Sequence, residues 1–522
     1  MPTANRSGPP KFRAERFGYG EVPLGAKKAD LMFLQHMLAV TRDGGMIATV
    51  MPHGVLFRGG EEKAIRGKII EEDLLEAVIG LAPNLFYGTG IPACILVLRQ
   101  RVQDGARRVS GKPAERRGKV LFINADRECF EGRAQNHLLP EHIEKIVATF
   151  DEYRAIPGFS AIVDTETLRE NGWNLNIRRY ADNAPPPEPQ DVRAHLVGGV
   201  PKAEVAAKAA LLAAHGLDPD VLFVARDEAY FDFRPTLESR AQVRAAVEGD
   251  AGLRAREAEI KAAFEAWWAE HRDRVAQLAG RHGEPGALVA LRAELLDSFS
   301  GALEAVGLLD PFEVRGIVAG FWYGARYDFL TLMARGSRGV VDAWRTGIVT
   351  ALEDKARRES PLEHKLVRFL MGGFVDEIAE LEAKKAELEA KLKAAAPDRD
   401  AEGADEAADE EEPADEAQVK AWKKELAASK KQLKAKRETF AARLNADVDA
   451  LDEAAAAELM LTILHHDMSA ILDRYVAAQR KRLVAAFETW WDKYKVTLRE
   501  LEAERDKAAN KLSGYLKALG YA

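Results

Sequence analysis

Asn84-Leu85-Phe86-Tyr87-Gly88-Thr89-Gly90-Ile91-Pro92-Ala93-Cys94-Ile95-Leu96-Val97-Leu98 is the stretch on which the reading of the fold turns. Its second half is a run of Ile, Val and Leu, the composition of a strand covered on both faces, and its first half is a glycine-punctuated turn. Working outward, Ala29 to Thr41 carries Leu31, Phe33, Leu34, Met37 and Leu38 at helical spacing. Gly44-Gly45 ends that helix and Met46 to Met51 follows as a short buried strand. Glu61 to Glu72 reads as a charged amphipathic helix, Leu74 to Leu81 as a strand, and Lys119 to Asn124 as one more. Helix and strand alternate, which predicts an α/β fold.

The 522 residues leave room for about three domains at roughly 150 residues each. A hydrophobic fraction of 47% excludes a wholly disordered chain. No uninterrupted apolar run approaches the ~20 residues of a membrane span. The opening MPTANRSGPPKFRAERF has no apolar secretory core, and only two cysteines occur, Cys94 and Cys129. These observations predict reduced thiols, no membrane partner and a cytoplasmic location.

A net charge of −8 argues against binding nucleic acid through overall charge. The charges from Asp398 to Glu416 are almost purely acidic, however, and without them the remainder is close to neutral. Local basic clusters then matter: Arg99 to Lys119, Arg178-Arg179 and Arg480-Lys481-Arg482. In the first, Arg99, Arg101, Arg107, Arg108, Lys112, Arg116 and Arg117 are candidate contacts to DNA phosphates, weighed against an ordinary solvated surface.

The quoted stretch closely resembles a signature of the methyltransferase (M) subunits of type I restriction–modification systems, which are adenine-N6 DNA methylases. Four further stretches resemble the same family in the same order. ADLMFLQHML (29–38) is similar to the helix after the catalytic loop, and Pro52 to Arg58 to the loop leaving the next strand. Lys119 to Asn136 resembles a segment beyond the sheet, and Asn174 to Tyr180 the family's usual ending. The likeness covers residues 17–183, and its collinearity gives it weight that no single motif would have.

The resemblance also sets requirements. Such a methylase holds S-adenosylmethionine with a glycine-rich loop after its first strand, and grips adenine with an Asn/Asp-Pro-Pro-aromatic loop. Neither is found before residue 17. Gly8-Pro9-Pro10-Lys11 imitates the second, but Gly8 has no side-chain acceptor and Lys11 no aromatic face. The expectation is therefore the C-terminal portion of an M subunit, with the S-adenosylmethionine site outside this chain and no catalytic residue within it. The loops that remain can still line a target-base pocket: His53 leaves one strand, and Phe86, Tyr87 and Thr89 precede another. Core packing is the plain alternative for the two aromatics. For His53 a loop-ordering hydrogen bond is preferred over metal binding, because no partner stands at ligand spacing.

Beyond residue 183 the pattern changes. Ala184 to Gln190 (APPPEPQ) reads as a linker, Lys202 to His215 as an Ala-rich helix, and Ala225 to Pro235 as an irregular aromatic-acidic turn. From Leu237 onward the chain reads helical. Ala263-Phe264-Glu265-Ala266-Trp267-Trp268 and Ala486-Phe487-Glu488-Thr489-Trp490-Trp491 share a pattern, which suggests a duplicated docking helix or a surface for a partner. Phe374, Ile378, Leu381, Lys385, Leu388 and Leu392 keep heptad spacing, as do Trp422, Leu426, Ser429, Leu433, Lys436 and Phe440. Two such arms about a polar tract predict an antiparallel coiled coil with a disordered acidic tip at 396–417. His465-His466-Asp467 imitates a metal site, but neighbours on a helix point apart. Ala319 to Phe329 reads as the aromatic core of a helical domain.

The expected fold is thus an α/β Rossmann-like methyltransferase (the distal half of the sheet) followed by a mostly α-helical region with an antiparallel coiled-coil hairpin. Its expected divisions are 1–183, 184–236 as linker and short helix, 237–370, 371–450 and 451–522. The resemblance implies site-specific adenine-N6 methylation of DNA, alongside a specificity (S) subunit, a restriction (R) subunit and a separate N-terminal methyltransferase half, with the chain inactive alone. The competing reading is a non-catalytic protein that binds DNA or the S subunit.

Overall fold

Strand pairing begins with Met46–Pro52, which among the described residues has a strand neighbour on one side only. The computed structural model describes residues 13–22, 29–184, 187–353, 360–395 and 416–521. Its chain falls into two compact units: Met1–Glu259, Glu304–Gly320 and Val476–Ala522 form the first, Ile260–Leu303 and Phe321–Tyr475 the second.

The first unit opens with α1 (Arg13–Arg16), α2 (Asp30–Val40), β1 (Met46–Pro52), α3 (Glu61–Glu71), β2 (Leu75–Leu81) and β3 (Ala93–Arg99). A hairpin of β4 (Val102–Asp104) and β5 (Arg107–Val109) comes next, then β6 (Lys119–Ala125), α4 (Pro140–Glu152), β7 (Ser160–Asp164) and α5 (Thr165–Glu170). The main sheet has the order β1-β3-β2-β6-β7, with β2 and β6 parallel and the other neighbours antiparallel. The alternation read from residues 29–124 is present element by element, each strand starting within two residues of its expected place.

Two apolar layers sandwich this sheet. Leu31 and Leu34 of α2 and Ile65 and Ile69 of α3 pack with Val78, Leu96 and Leu98 on one face. Ile146 of α4 packs with Ala77, Ile79, Val97, Leu121 and Ile123 on the other. Every residue of β2 is buried, as its continuous apolar run requires. β1 differs. Ile47 and Met51 join the first layer, while Met46 and Val50, which alternation turns to the opposite face, are 54% and 52% exposed.

One residue in β2 breaks the apolar rule. The register against β3 slips between Leu75 and Ala77, so Glu76 occupies a bulge, and its side chain is fully buried. Arg99 Nε reaches its carboxylate at 3.0 Å and Arg116 Nη1 at 2.9 Å. Arg116 in turn lies over the Tyr153 ring at 4.7 Å and donates to the Asp151 carbonyl at 2.7 Å.

After the expected linker the chain is more structured than the short helix and irregular turn expected there. α6 (Val192–Val197), β8 (Val200–Pro201), α7 (Lys202–Ala207), α8 (Ala209–Ala214), β9 (Phe223–Ala225), β10 (Tyr230–Phe233) and α9 (Arg240–Gly249) follow in order. The strands form a small antiparallel sheet, β8-β10-β9. Strands of two to four residues are too short to show a period, and what holds them is distant in sequence. Phe223 packs on Phe487 and Trp490, each at 5.9 Å between ring centres, and Phe233 on Trp491 at 5.0 Å.

Helices, most of them long, complete the chain: α10 (Ala251–Ala276), α11 (Pro285–Leu303), α12 (Pro311–Glu353, broken at Gly336 where φ is +70°), α13 (Lys365–Leu370), α14 (Gly372–Ala394), α15 (Glu416–Asp449), α16 (Glu453–Tyr494) and α17 (Leu498–Ala518). The two aromatic repeats do pack, but in separate cores. Phe264 and Trp267 meet Phe299 and His465 in the second unit, and Phe487 and Trp490 fill the core beneath β9 in the first. Because α16 contributes Leu483 to Tyr494 to the first unit's core, residues from 476 onward group with the sheet, and the sequential cuts at 183, 236, 370 and 450 do not follow the packing.

In the second unit α14 and α15 lie antiparallel, with Phe374 stacked on Phe440 at 6.1 Å, Glu382 bonded to Arg437 at 2.5 Å and Glu389 to Lys430 at 2.9 Å. All twelve heptad positions named above are buried or half-buried. The acidic stretch 396–415 and Gly8 to Lys11 lie outside the described residues.

Replacing Glu76 by Gln leaves two guanidinium groups facing a neutral amide inside the sheet. The first unit should lose about 3–5 kcal/mol, read as an earlier urea transition, and an unshifted midpoint would contradict the role given to this carboxylate.

Candidate functional site

β1 and β2 both run antiparallel to β3, and β6 runs parallel to β2. The chain therefore leaves β1 at His53, β2 at Ala82 and β6 at Asp126 along a single edge of the sheet. Loops at the carboxyl ends of strands are where open α/β sheets collect ligand-binding residues.

His53 sits half-buried in the first of these loops, its Nε2 donating to the Ala93 carbonyl at 3.1 Å. Burial lowers its pKa more than this bond raises it, so the ring is neutral at pH 7 and Nδ1 is left as an acceptor. The loop itself is held from beneath. The buried Arg66 donates to the carbonyls of Trp173 (2.6 Å), Val55 (2.9 Å) and Arg58 (3.1 Å). Desolvation pulls that guanidinium down to about 10, still charged at neutral pH.

The second loop carries Phe86, Tyr87 and Thr89. Asn84 at φ +57° and Gly88 at φ +74° turn it, and the Thr89 N–H donates to the Phe86 carbonyl at 3.4 Å. The Thr89 hydroxyl accepts from the Ile91 N–H at 3.1 Å. Residues beyond β6 brace it further: Gln135 Nε2 donates to the Leu85 carbonyl at 2.6 Å and Asn136 Nδ2 to the Pro83 carbonyl at 3.0 Å. This fixed backbone presents Tyr87 at 94% exposure and Phe86 at 40%. Core packing therefore does not account for Tyr87. Phe57, Ile91 and Phe130 are also exposed, which makes the edge unusually rich in bare apolar groups.

At the third exit Asp126 accepts from Arg178 at 2.7 Å and from Asn183. Arg178 belongs to a basic pair visible in the sequence, but Asp126, Asn183, Gln135 and Asn136 are not signalled by any spacing. Asp126, Gln135 and Asn136 do fall within the stretch Lys119 to Asn136 noted above for its resemblance, whereas Asn183 has no such cue.

The basic cluster behaves differently from its expected role. Arg99 and Arg116 hold Glu76, Arg101 bonds to Glu72 at 3.3 Å and Arg108 to Asp43 at 2.5 Å. Lys112 is fully buried, with Nζ on Asp73 at 2.6 Å and on the Lys119 carbonyl at 2.8 Å, so it cannot reach a phosphate. Arg117 donates to the Lys112 carbonyl at 3.2 Å. Arg107 is exposed and has no side-chain bond among the described residues. The charges that suggested phosphate contact are thus mostly neutralised within the fold. The motif at 465–467 also resolves into separate contacts, a hydrogen bond between His465 Nε2 and Glu265 at 3.0 Å and an ion pair of Asp467 with Lys365 at 3.0 Å. Among the described residues no three metal-ligating side chains converge, and no helix is long and apolar enough to cross a membrane.

Residues 7–188 match the family model described as N-6 DNA Methylase. The type I restriction enzyme MjaVII methylase subunit of Methanocaldococcus jannaschii is 39% identical over 173 residues, 33% of this chain and 28% of that protein. The HindI methylase subunit of Haemophilus influenzae is 31% identical over 177 residues, 32% of this chain and 37% of that one. A solved type I restriction-modification methyltransferase subunit from Streptococcus thermophilus is 36% identical over 32% of this chain and 33% of its own, with a TM-score of 0.28. Residues 7–188 are a segment of the N-6 DNA methylase kind found in type I methylase subunits. The chain spans about a third or less of the length of the first curated relatives it matches.

His53 offers a test of the local geometry. Its folded pKa lies below the ordinary value of about 6.5, so the unfolded chain binds the proton more tightly. Its contribution to stability is complete above pH 6.5 and falls away as pH drops through the folded pKa. His53→Gln should flatten that part of the stability profile relative to the parent, and identical slopes would show the ring to be solvated.

Proposed function

We infer that this chain supplies the base-facing half of an adenine-N6 DNA methylase in a type I restriction–modification system. The observation that carries the reading is the braced loop 84–91, which holds Tyr87 bare at the carboxyl edge of the sheet inside a segment of the N-6 DNA methylase kind. A methylase acting on adenine takes the base out of the duplex and stacks it on an aromatic or apolar surface. Tyr87, Phe86 and Thr89 offer a ring face and a hydroxyl for such a base, and His53 lies in the neighbouring loop.

The same residues suit the methyl donor poorly. S-adenosylmethionine needs a carboxylate for its ribose hydroxyls, and Asp126 is already taken up by Arg178 and Asn183. We therefore assign the donor site to a part of the enzyme outside the described residues, a separate polypeptide being one source of it. β1 supports this assignment: β3 is its one strand partner among the described residues, and its outward Met46 and Val50 are bare. A strand and helix from the donor-binding half would cover both edge and face. Reading of the DNA sequence falls in this scheme to a specificity subunit, and cleavage to a restriction subunit. The internal pairing of the 99–117 cations fits a protein that leaves much of its grip on DNA to partners.

Methyl transfer to duplex DNA, followed with labelled S-adenosylmethionine, tests this. Transfer should require the chain together with a donor-binding polypeptide and a specificity subunit. Tyr87→Ala should weaken DNA binding by the assembled enzyme by roughly 5- to 100-fold, the worth of one stacked base. Tight donor uptake by the chain alone would refute the divided arrangement, and an indifferent Tyr87→Ala would remove this loop from the base site.

A further inference from the structure

Thr497 opens α17 with a reciprocal cap. Its hydroxyl accepts from the Glu500 N–H at 3.1 Å, and the Glu500 carboxylate accepts from the Thr497 N–H at 2.8 Å. Gly520, at φ +79°, closes the helix: its N–H donates to the Lys517 carbonyl at 3.1 Å and that of Tyr521 to the Leu516 carbonyl at 2.9 Å. Both ends of a 21-residue helix are therefore specified by sequence, yet none of its residues is buried. Leu498, Leu501, Leu512, Tyr515 and Leu519 are 46%, 51%, 59%, 56% and 71% exposed. With Arg505 and Ala508 between them they recur at alternating spacings of three and four, a single stripe along the helix. Helices in proteins owe most of their stability to packing of such a stripe, so this one needs a cover.

The charges identify it. The first half of α17 carries Glu500, Glu502, Glu504 and Asp506 against Arg499 and Arg505, whereas from residue 507 onward the charges are Lys507, Lys511 and Lys517 with no acid among them. We propose that the stripe pairs antiparallel with the same helix of a second copy of this chain. With the two-fold axis between Asp506 and Lys507, Leu501 meets the second copy's Leu512, Leu498 meets its Tyr515, and Arg505 lies opposite the small Ala508. Glu504 flanks the second copy's Lys511, and symmetry makes every one of these contacts twice. A parallel pair would set Arg505 against Arg505 and leave Glu504 and Lys511 beside Ala509 and Leu516, with no opposite charge in reach. The acidic-then-basic order of the helix is complementary to its own reverse.

Sedimentation of the full chain over a concentration series tests the pairing. A concentration-dependent dimer is expected, and the double variant Leu501→Glu/Leu512→Glu should be monomeric with its far-UV circular dichroism otherwise preserved. Glu504→Lys or Lys511→Glu should each weaken the dimer roughly tenfold. Combining them exchanges the two charges and should restore it, a recovery that general loss of helix cannot mimic. A chain that stays monomeric throughout, a dimer indifferent to the leucine changes, or a charge-swapped variant no tighter than its parents would overturn the proposal. So would a stripe that associates only when a different polypeptide is added.

Discussion

A carboxylate inside a sheet must be neutralised where it sits, and Glu76 imposes that condition on the first unit. Its bulge position turns an acidic group into the layer otherwise made of Ala77, Ile79 and Leu121. Two guanidinium groups then have to be delivered to it, one from β3 and one from the turn before β6. Arg116 cannot serve without also fixing Tyr153 and the end of α4, whose Asp151 carbonyl it engages. One buried charge thus ties together two strands, a turn and the covering helix. Unlike apolar packing, which tolerates several arrangements of similar shape, an ion triad of this kind accepts one register.

The same network separates what was legible in the sequence from what was not. Helices α2 and α3 and strands β1, β2, β3 and β6 follow from periodicity, because each buries a continuous or alternating apolar set whose pattern is local. The basic cluster from Arg99 to Lys119 was legible as charge but not as function. Its apparent surplus shrinks once Glu76, Glu72, Asp73 and Asp43, from 23 to 65 residues away, are brought alongside. The small sheet β8-β10-β9 was hidden for the same reason. Phe223 and Phe233 become strand residues because Phe487, Trp490 and Trp491 cover them, and nothing within a short window records that. At the candidate site the glycine-punctuated turn and its aromatics were evident, whereas the bracing by Gln135 and Asn136 is a tertiary fact.

That bracing makes the loop at Tyr87 more than an exposed hydrophobe. Carbonyls at Pro83 and Leu85 are occupied by side-chain amides, and the tight turn at Gly88 is closed by its own backbone bond. Binding surfaces gain when the groups they present are ordered beforehand, since the entropy of fixing them is not lost on association. Arg66 performs a similar service for the neighbouring loop through three carbonyls. The edge therefore joins a hydrogen-bonded backbone to exposed aromatic side chains.

β1 has the sequence MIATVMP, without a single charge, and among the described residues its outer side has no strand partner and none of the lysines within the strand by which natural sheets discourage addition of foreign strands. Pro52 blunts its very end and nothing more. A polypeptide left with such a margin is a template for any extended segment it meets, including its own kind while still folding. Any polypeptide able to add a strand there would relieve that hazard, and with it the loss of chains to association while they fold.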